Sequence, residues 1–323
     1  MNLVTAAEIA QARTALADRV RLTPSVPLGG SAVGDMLGGG AVTAKLEHWQ
    51  RTGTFKVRGA LLSIDALDDS QRARGVTAVS AGNHAIATAY AAQSAGVSAK
   101  VVMTRSANPL RVGRCRSFGA DIVFAETVHE AFDLVAAIQR DEGRAMIHPF
   151  DSRSMVLGSG TLGQEILEQV PEVDTVIVPV GGGGLIAGIA AAIKLSRSSC
   201  RVIGVEPAGA DSMRRSLAAN EPQTLSAVDT IADSLGAPFA LDFSFAHCRH
   251  FVDDVVIVSD ADIRAAMRII RDELGFSVEP ACAATTAAAL GPLVGQLDGN
   301  NTVLLFCGSN IDSLSADAII SAE

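Results

Sequence analysis

At 323 residues with a formal net charge of −9, the chain exceeds the size at which one hydrophobic core keeps growing, and it is too acidic to favour nucleic acid or an anionic membrane. Hydrophobic residues make up 48% but aromatics only 4%, an excess of Ala, Val, Leu and Ile that suits helices layered on buried parallel strands, so an α/β protein with two domains is predicted. Five cysteines without paired spacing indicate neither a zinc knuckle nor a disulfide framework and fit a reducing cytoplasm; with no signal peptide and no bilayer-length apolar run, a soluble protein with a small-molecule partner is expected.

Thr5 followed by Glu8 is a capping-box signature, so a first helix is predicted towards Arg19, stopped by Leu22-Thr-Pro24. A strand follows over 42–46. Helices over 54–67, 83–95, 108–118 and 128–142 then alternate with strands over 76–80, 100–103, 121–124 and 146–147, a rhythm that predicts a small parallel sheet. A helix over 157–169, strands over 175–180, 201–206, 255–258 and 302–307, and helices after the glycines, over 212–219, over 260–274 and from 281 predict a second sheet.

The run Thr175-Val-Ile-Val-Pro-Val-Gly-Gly-Gly-Gly184 places four glycines between an apolar strand and a helix. Residues without Cβ let consecutive N–H groups converge on one oxyanion, and the helix N-terminus favours negative charge, so this is the architecture of a phosphate cradle. Gly182, Gly184 and Ala187 also satisfy G-x-G-x-x-A, with Glu206 closing the next strand where a dinucleotide site places its acid. On this motif alone a nicotinamide or flavin nucleotide, another phosphorylated ligand and a tight ligand-free turn stay open.

In Arg51-Thr-Gly-Thr-Phe-Lys-Val-Arg-Gly-Ala60, Lys56 opens an otherwise apolar helix beside Phe55. A lysine desolvated there has a depressed pKa and a nucleophilic amine, although most helical lysines are solvated. The motif closely resembles the cofactor-lysine motif of the serine/threonine dehydratase family, the fold-type-II pyridoxal-phosphate enzymes that include serine racemases. Ser80-Ala-Gly-Asn-His84, His148-Pro-Phe-Asp151, Gly158-Ser-Gly-Thr161, the tetraglycine loop, Val278-Glu-Pro280 and Cys307-Gly-Ser-Asn310 agree in the same order across nearly the whole chain.

The resemblance implies a fold of two doubly wound parallel-sheet domains, like the β subunit of tryptophan synthase. A large cofactor-binding domain would comprise 1–49 and 149–323, with a small mobile domain, 50–148, inserted in it. It makes Lys56 the Schiff-base lysine for pyridoxal 5'-phosphate, with Phe55 lining the cofactor, Asn83 on its ring hydroxyl, Gly181, Gly182, Gly183 and Gly184 on its phosphate, and Glu279 near the ring. Cys307 falls against the ring nitrogen, where a neutral thiol makes a weaker electron sink than a carboxylate partner would and favours prompt loss of a β-leaving group. Ser80, Ala81, Asn83 and His84 are implied to hold the substrate carboxylate, and Ser234 to face the substrate. The implied reaction is β-elimination from a β-hydroxy amino acid, L-threonine or L-serine first, to a 2-keto acid and ammonia.

Several positions depart from the family pattern. Ala81 stands where serine racemases carry the hydroxyl that protonates Cα from the opposite face, which disfavours racemisation. Ala232-Asp-Ser234 replaces the Ala-Asp-Gly of many threonine dehydratases and leaves room for a more polar substrate such as 3-hydroxyaspartate, as in dehydratases linked to ectoine breakdown. The divalent-cation site of serine racemases, for Mg2+ or a similar ion, maps onto Glu206, Ala210 and Ser212, where a serine weakens it by replacing a carboxylate. His247-Cys-Arg-His250 has H-x-x-H spacing but no further ligand nearby, so a packing or surface role is expected. The resemblance also implies a homodimer, and no regulatory extension is expected after Glu323. From another class, a nucleotide-dependent oxidoreductase or binding protein using the glycine loop is the alternative.

Overall fold

The computed structural model describes residues 2–35 and 40–322. Among the described residues, ten strands form two sheets. The larger is built from β1 (Ser25–Pro27), β2 (Val42–Lys45), β7 (Thr175–Pro179), β8 (Arg201–Pro207), β9 (Asp254–Val258) and β10 (Thr302–Leu305), in the order β1-β2-β10-β7-β8-β9. Only the edge strand β1 runs antiparallel. The smaller sheet, order β5-β4-β3-β6, is wholly parallel and uses β3 (Val76–Val79), β4 (Ala99–Thr104), β5 (Asp121–Ala125) and β6 (Ala145–Met146).

Strands β2, β7 and β10 are buried along their whole lengths, as strands covered by helices on both faces must be. Each sheet carries its own apolar core: Ile177, Ile203 and Leu304 lie in the larger, Val76, Ile86 and Val101 in the smaller. Helices Arg153–Gln169 and Gly184–Ser196 pack with their backbones nearly touching, since a Cβ at Gly188 would lie 2.6 Å from the Gly160 nitrogen. The motif Gly158-Ser-Gly-Thr161 is therefore in part a packing device.

Most predicted elements are present, with shifted ends. The Thr5–Glu8 capping box forms as expected, but its α-helix stops at Leu16 and continues as one 3-10 turn to Arg19. The lysine helix spans Lys56–Asp65 rather than 54–67, because Thr54 is extended and bridges to Gly308. Helix Arg153–Gln169 starts earlier than 157, capped by the Ser152 side chain. Strand β1 and helices Asp69–Arg74, Asp242–Phe251 and Ser313–Ser321 had no sequence prediction. All described cysteines are buried and unpaired, and among the described residues no helix is long and apolar enough to cross a membrane.

Candidate active site

The carboxyl ends of β3, β7 and β10 open into a cavity of about 330 Å³, the position a parallel sheet reserves for ligands. The cavity gathers Phe55, Lys56, Ser80, Ala81, Asn83, His84, the four glycines, Ser234, Glu279 and Cys307 from points scattered over some 250 residues.

Lys56 is the first residue of its helix, reached through the positive-φ pair Thr52 (68°) and Gly53 (73°). Its Nζ donates to the Pro149 carbonyl at 2.5 Å and lies 5.0 Å from the Phe55 ring centroid. Burial lowers its pKa to about 8, with Cys307 and Glu279 pulling the other way. A substantial neutral fraction at physiological pH makes this amine a nucleophile and a base.

Asn83 begins the helix Asn83–Ser94. Its Nδ2 donates to Glu279 Oε1 at 2.6 Å and more weakly to Ser234 Oγ at 3.4 Å, while its Oδ1 accepts from Asn310 Nδ2 at 2.6 Å. Glu279 occupies the N-cap position of helix Pro280–Leu290 and is 1% exposed; its Oε2 makes no hydrogen bond but lies 3.9 Å from Arg111 Nη2, and desolvation pushes its pKa up to about 7 against that cation. Cys307 lies two residues beyond β10. A hydrogen bond with Cys282, and then burial, holds its thiol well above the usual range and therefore neutral.

The four glycines follow β7. Gly183 has φ 86° and caps helix Gly184–Ser196, whose first N–H groups face the cavity end. A Cβ at Gly182 would enter the Phe150 ring, and one at Gly184 would meet the Phe150 carbonyl oxygen and lie 3.0 Å from its Cα. Side chains are thus excluded on one side of the loop while amides remain on the other. A cradle of backbone donors at a helix N-terminus, beside a desolvated lysine, fits a phosphorylated aldehyde cofactor.

His84 does not offer a cation. Its Nε2–H donates to the Ile147 carbonyl at 2.8 Å, its Nδ1 is buried without a hydrogen-bond partner, and desolvation lowers its pKa to about 3, so the ring is neutral. Ser80 Oγ accepts from the Gly82 N–H at 3.1 Å.

The Glu206, Ala210 and Ser212 set lies outside this cavity's lining. Both Glu206 oxygens accept from N–H groups of Met213 (2.9 Å) and Arg214 (2.8 Å), and burial raises the carboxyl to about 8. Ala210 offers no side-chain ligand and Ser212 Oγ is buried without a hydrogen-bond partner; among the described residues no cluster of three or more His, Cys, Asp and Glu could hold a metal. His247 packs rather than ligates: its Nε2 accepts from the Val4 N–H at 3.0 Å and its Nδ1 donates to the Phe243 carbonyl at 2.7 Å.

Sequence reasoning passed over Arg111, Phe132, Asp233 and Asn310. Arg111 carries no motif in the sequence, yet it is buried, ion-paired with Asp233 and bonded to the Asn310 carbonyl at 2.9 Å. Phe132 lines the cavity and is 40% exposed. Asn310 stood inside a recognised motif, and only the fold reveals its partners.

The comparisons with known proteins agree with this geometry. The family model described as pyridoxal-phosphate dependent enzyme matches residues 16–308. Phenylserine dehydratase from Ralstonia pickettii is 52% identical over 275 residues, 85% of this chain and 84% of that protein. L-threonine ammonia-lyase from Thermotoga maritima is 35% identical over 320 residues, 99% of this chain and 79% of that one. The structure of maize serine racemase superposes with a TM-score of 0.92 at 36% identity, covering 98% of this chain and 97% of its own. With a half-buried lysine at a helix start, a glycine loop and relatives of this similarity, the chain belongs to the fold-type-II pyridoxal-phosphate-dependent enzymes, as an ammonia-lyase that dehydrates a β-hydroxy amino acid.

Proposed function

We propose that the preferred substrate is a β-hydroxy amino acid with an aryl β-substituent, as in phenylserine, converted to a 2-keto acid and ammonia. The observation that carries this reading is the cavity wall, where Val79, Val102, Phe132, Leu235, Pro238 and Phe239 present hydrocarbon. The name of the 52% identical relative supports the same class. A second carboxylate, as in 3-hydroxyaspartate, would need a free cation. Arg111, which also lines the cavity, is spent on Asp233 and the Asn310 carbonyl.

In this reading Gly181, Gly182, Gly183 and Gly184 hold the cofactor phosphate, Asn83 and Glu279 face its ring, and Cys307 offers a neutral thiol to the ring nitrogen. Pyridoxal phosphate, when bound, supplies the electron sink that stabilises charge at Cα. Backbone donors from Ser80 to His84 orient the substrate carboxylate. The Lys56 amine removes the Cα proton; the Cα–H and Cβ–O bonds break, a carbon–carbon double bond forms, and the hydroxyl takes up the proton released from Cα and leaves as water. The enamine product then tautomerises and hydrolyses to the keto acid and ammonia. Ala81 has no proton to return from the opposite face, so D-serine formation is negligible. The reading needs no divalent cation.

We assign segment 50–148 as a unit that closes on the cleft, with 1–49 and 149–323 as its base, and a homodimer in solution. Closure would bring Phe132 over the substrate and exclude water.

Filling the hydrocarbon wall with a phenyl rather than a methyl group contributes about 2–3 kcal/mol, so kcat/KM for threo-phenylserine is expected to exceed that for L-threonine by roughly 30-fold or more. Keto acid formation by the purified protein checks this. Equal or reversed rates would restore L-threonine or L-serine as the substrate, and turnover of 3-hydroxyaspartate alone would point to the dicarboxylate. Gly184→Ala tests the cradle: a methyl pressed on the Phe150 backbone displaces the helix start, and pyridoxal-phosphate affinity measured by fluorescence titration should fall at least ~10-fold.

A further inference from the structure

We infer that Asn310 is a positioning residue that sets the amide orientation of Asn83 and couples it to the docking of helix Pro109–Ser117. The inference rests on the reading that Asn83 faces the cofactor ring. Asn310 is fully buried. Its Nδ2 donates to Asn83 Oδ1 at 2.6 Å and to the Thr52 carbonyl at 2.9 Å, and its Oδ1 accepts from Arg114 Nη1. A flipped Asn310 amide would set oxygen against two acceptors and nitrogen against a guanidinium, so only one orientation is allowed.

That orientation passes to its neighbour. With Oδ1 committed to Asn310, the Asn83 Nδ2 must turn to Glu279 Oε1 and the cavity, where a cofactor oxygen needs a donor. Without Asn310 the Asn83 amide oxygen loses its 2.6 Å hydrogen bond.

The same residue receives the four-stranded unit. From helix Pro109–Ser117, Arg114 reaches the Asn310 side chain and Arg111 Nε reaches its carbonyl at 2.9 Å; Asn108, the helix N-cap, donates to Asp312 Oδ2 at 2.8 Å. Arg111 also pairs with Asp233, next to Ser234. Docking of this helix therefore completes the hydrogen bonding of Asn310, and Asn310 completes that of Asn83. The donor that faces the ring is in place when the helix is docked.

The test is a double-mutant cycle on pyridoxal-phosphate binding, read by fluorescence titration and by the visible absorption maximum. Asn310→Asp keeps the shape and the Arg114 contact but cannot donate to Asn83. It is expected to weaken cofactor binding about 10-fold and to shift the absorption maximum, whereas in an Asn83→Ala background the same substitution should change affinity less than ~2-fold. The same factor in both backgrounds means Asn310 acts on the fold and overturns the inference, as does unchanged affinity in Asn310→Asp alone. If Asn83→Ala by itself leaves affinity intact, the cofactor-facing reading of Asn83 falls and the inference with it, an outcome distinct from additivity. Should Asn310→Asp not accumulate folded, Asn310→Ser, too short to reach Asn83, takes its place in the cycle.

Discussion

Lys56→Met is expected to abolish keto acid formation, by at least ~10³-fold, while making the cofactor-free protein more stable at neutral pH. Desolvation lowers the pKa of the half-buried amine from 10.5 to about 8, so the folded chain resists a proton that the unfolded chain accepts readily. Stability of the wild-type apo-protein therefore declines as pH falls from about 10.5 to 8, and the full penalty, up to about 3 kcal/mol, is present below that window. Methionine carries no such penalty. Denaturant unfolding of both apo-proteins should show the variant ahead at pH 7 and the gap closing above pH 10.5; a constant gap would mean the amine is not depressed. The same pKa predicts that labelling of Lys56 in the apo-protein rises through pH 8, well before ordinary lysines react.

Glu165→Ala is expected to destabilise the protein by about 3–5 kcal/mol, the cost of leaving buried cations without their partner. Glu165 accepts from Arg58 at 2.7 and 3.0 Å and from Lys45 at 2.8 Å; Arg58 also holds Glu47 at 2.8 and 2.9 Å, and Thr23 donates to Glu47 at 2.6 Å. All these groups are buried, and the network balances two cations with two anions. It joins β2 and helix Arg153–Gln169 to the helix that begins at Lys56, so a loss of stability should be accompanied by weaker cofactor binding. The exposed pair Arg105–Glu126 is the control: Glu126→Ala should leave the unfolding midpoint unchanged. Equal effects at the two sites would show that burial does not set the energetics.

The site was legible to the extent that its chemistry depends on local sequence. Four glycines between a strand and a helix make a cradle in any α/β context, and Lys56 sits in an apolar run whatever surrounds it. The hidden residues were those whose meaning is a contact. Arg58 reads as a charge within a motif until two glutamates from distant segments close on it; Arg111 shares its surface-like pattern with Arg114 and Arg116. His84 reads as a motif residue, and only the fold brings the Ile147 carbonyl to its Nε2. Phe132 lies on an amphipathic helix where an apolar residue is unremarkable, and only its place at the cavity distinguishes it.

By itself, the sequence determined the α/β alternation, the phosphate cradle and the lysine chemistry, because periodicity, missing Cβ atoms and short motifs act over a few residues. Tertiary structure alone decided the protonation of His84 and Glu279, the commitment of Arg111 to internal partners, and the apolar character of the cavity wall. Those properties come from desolvation and from groups tens to hundreds of residues apart, and the chain has to fold before either exists.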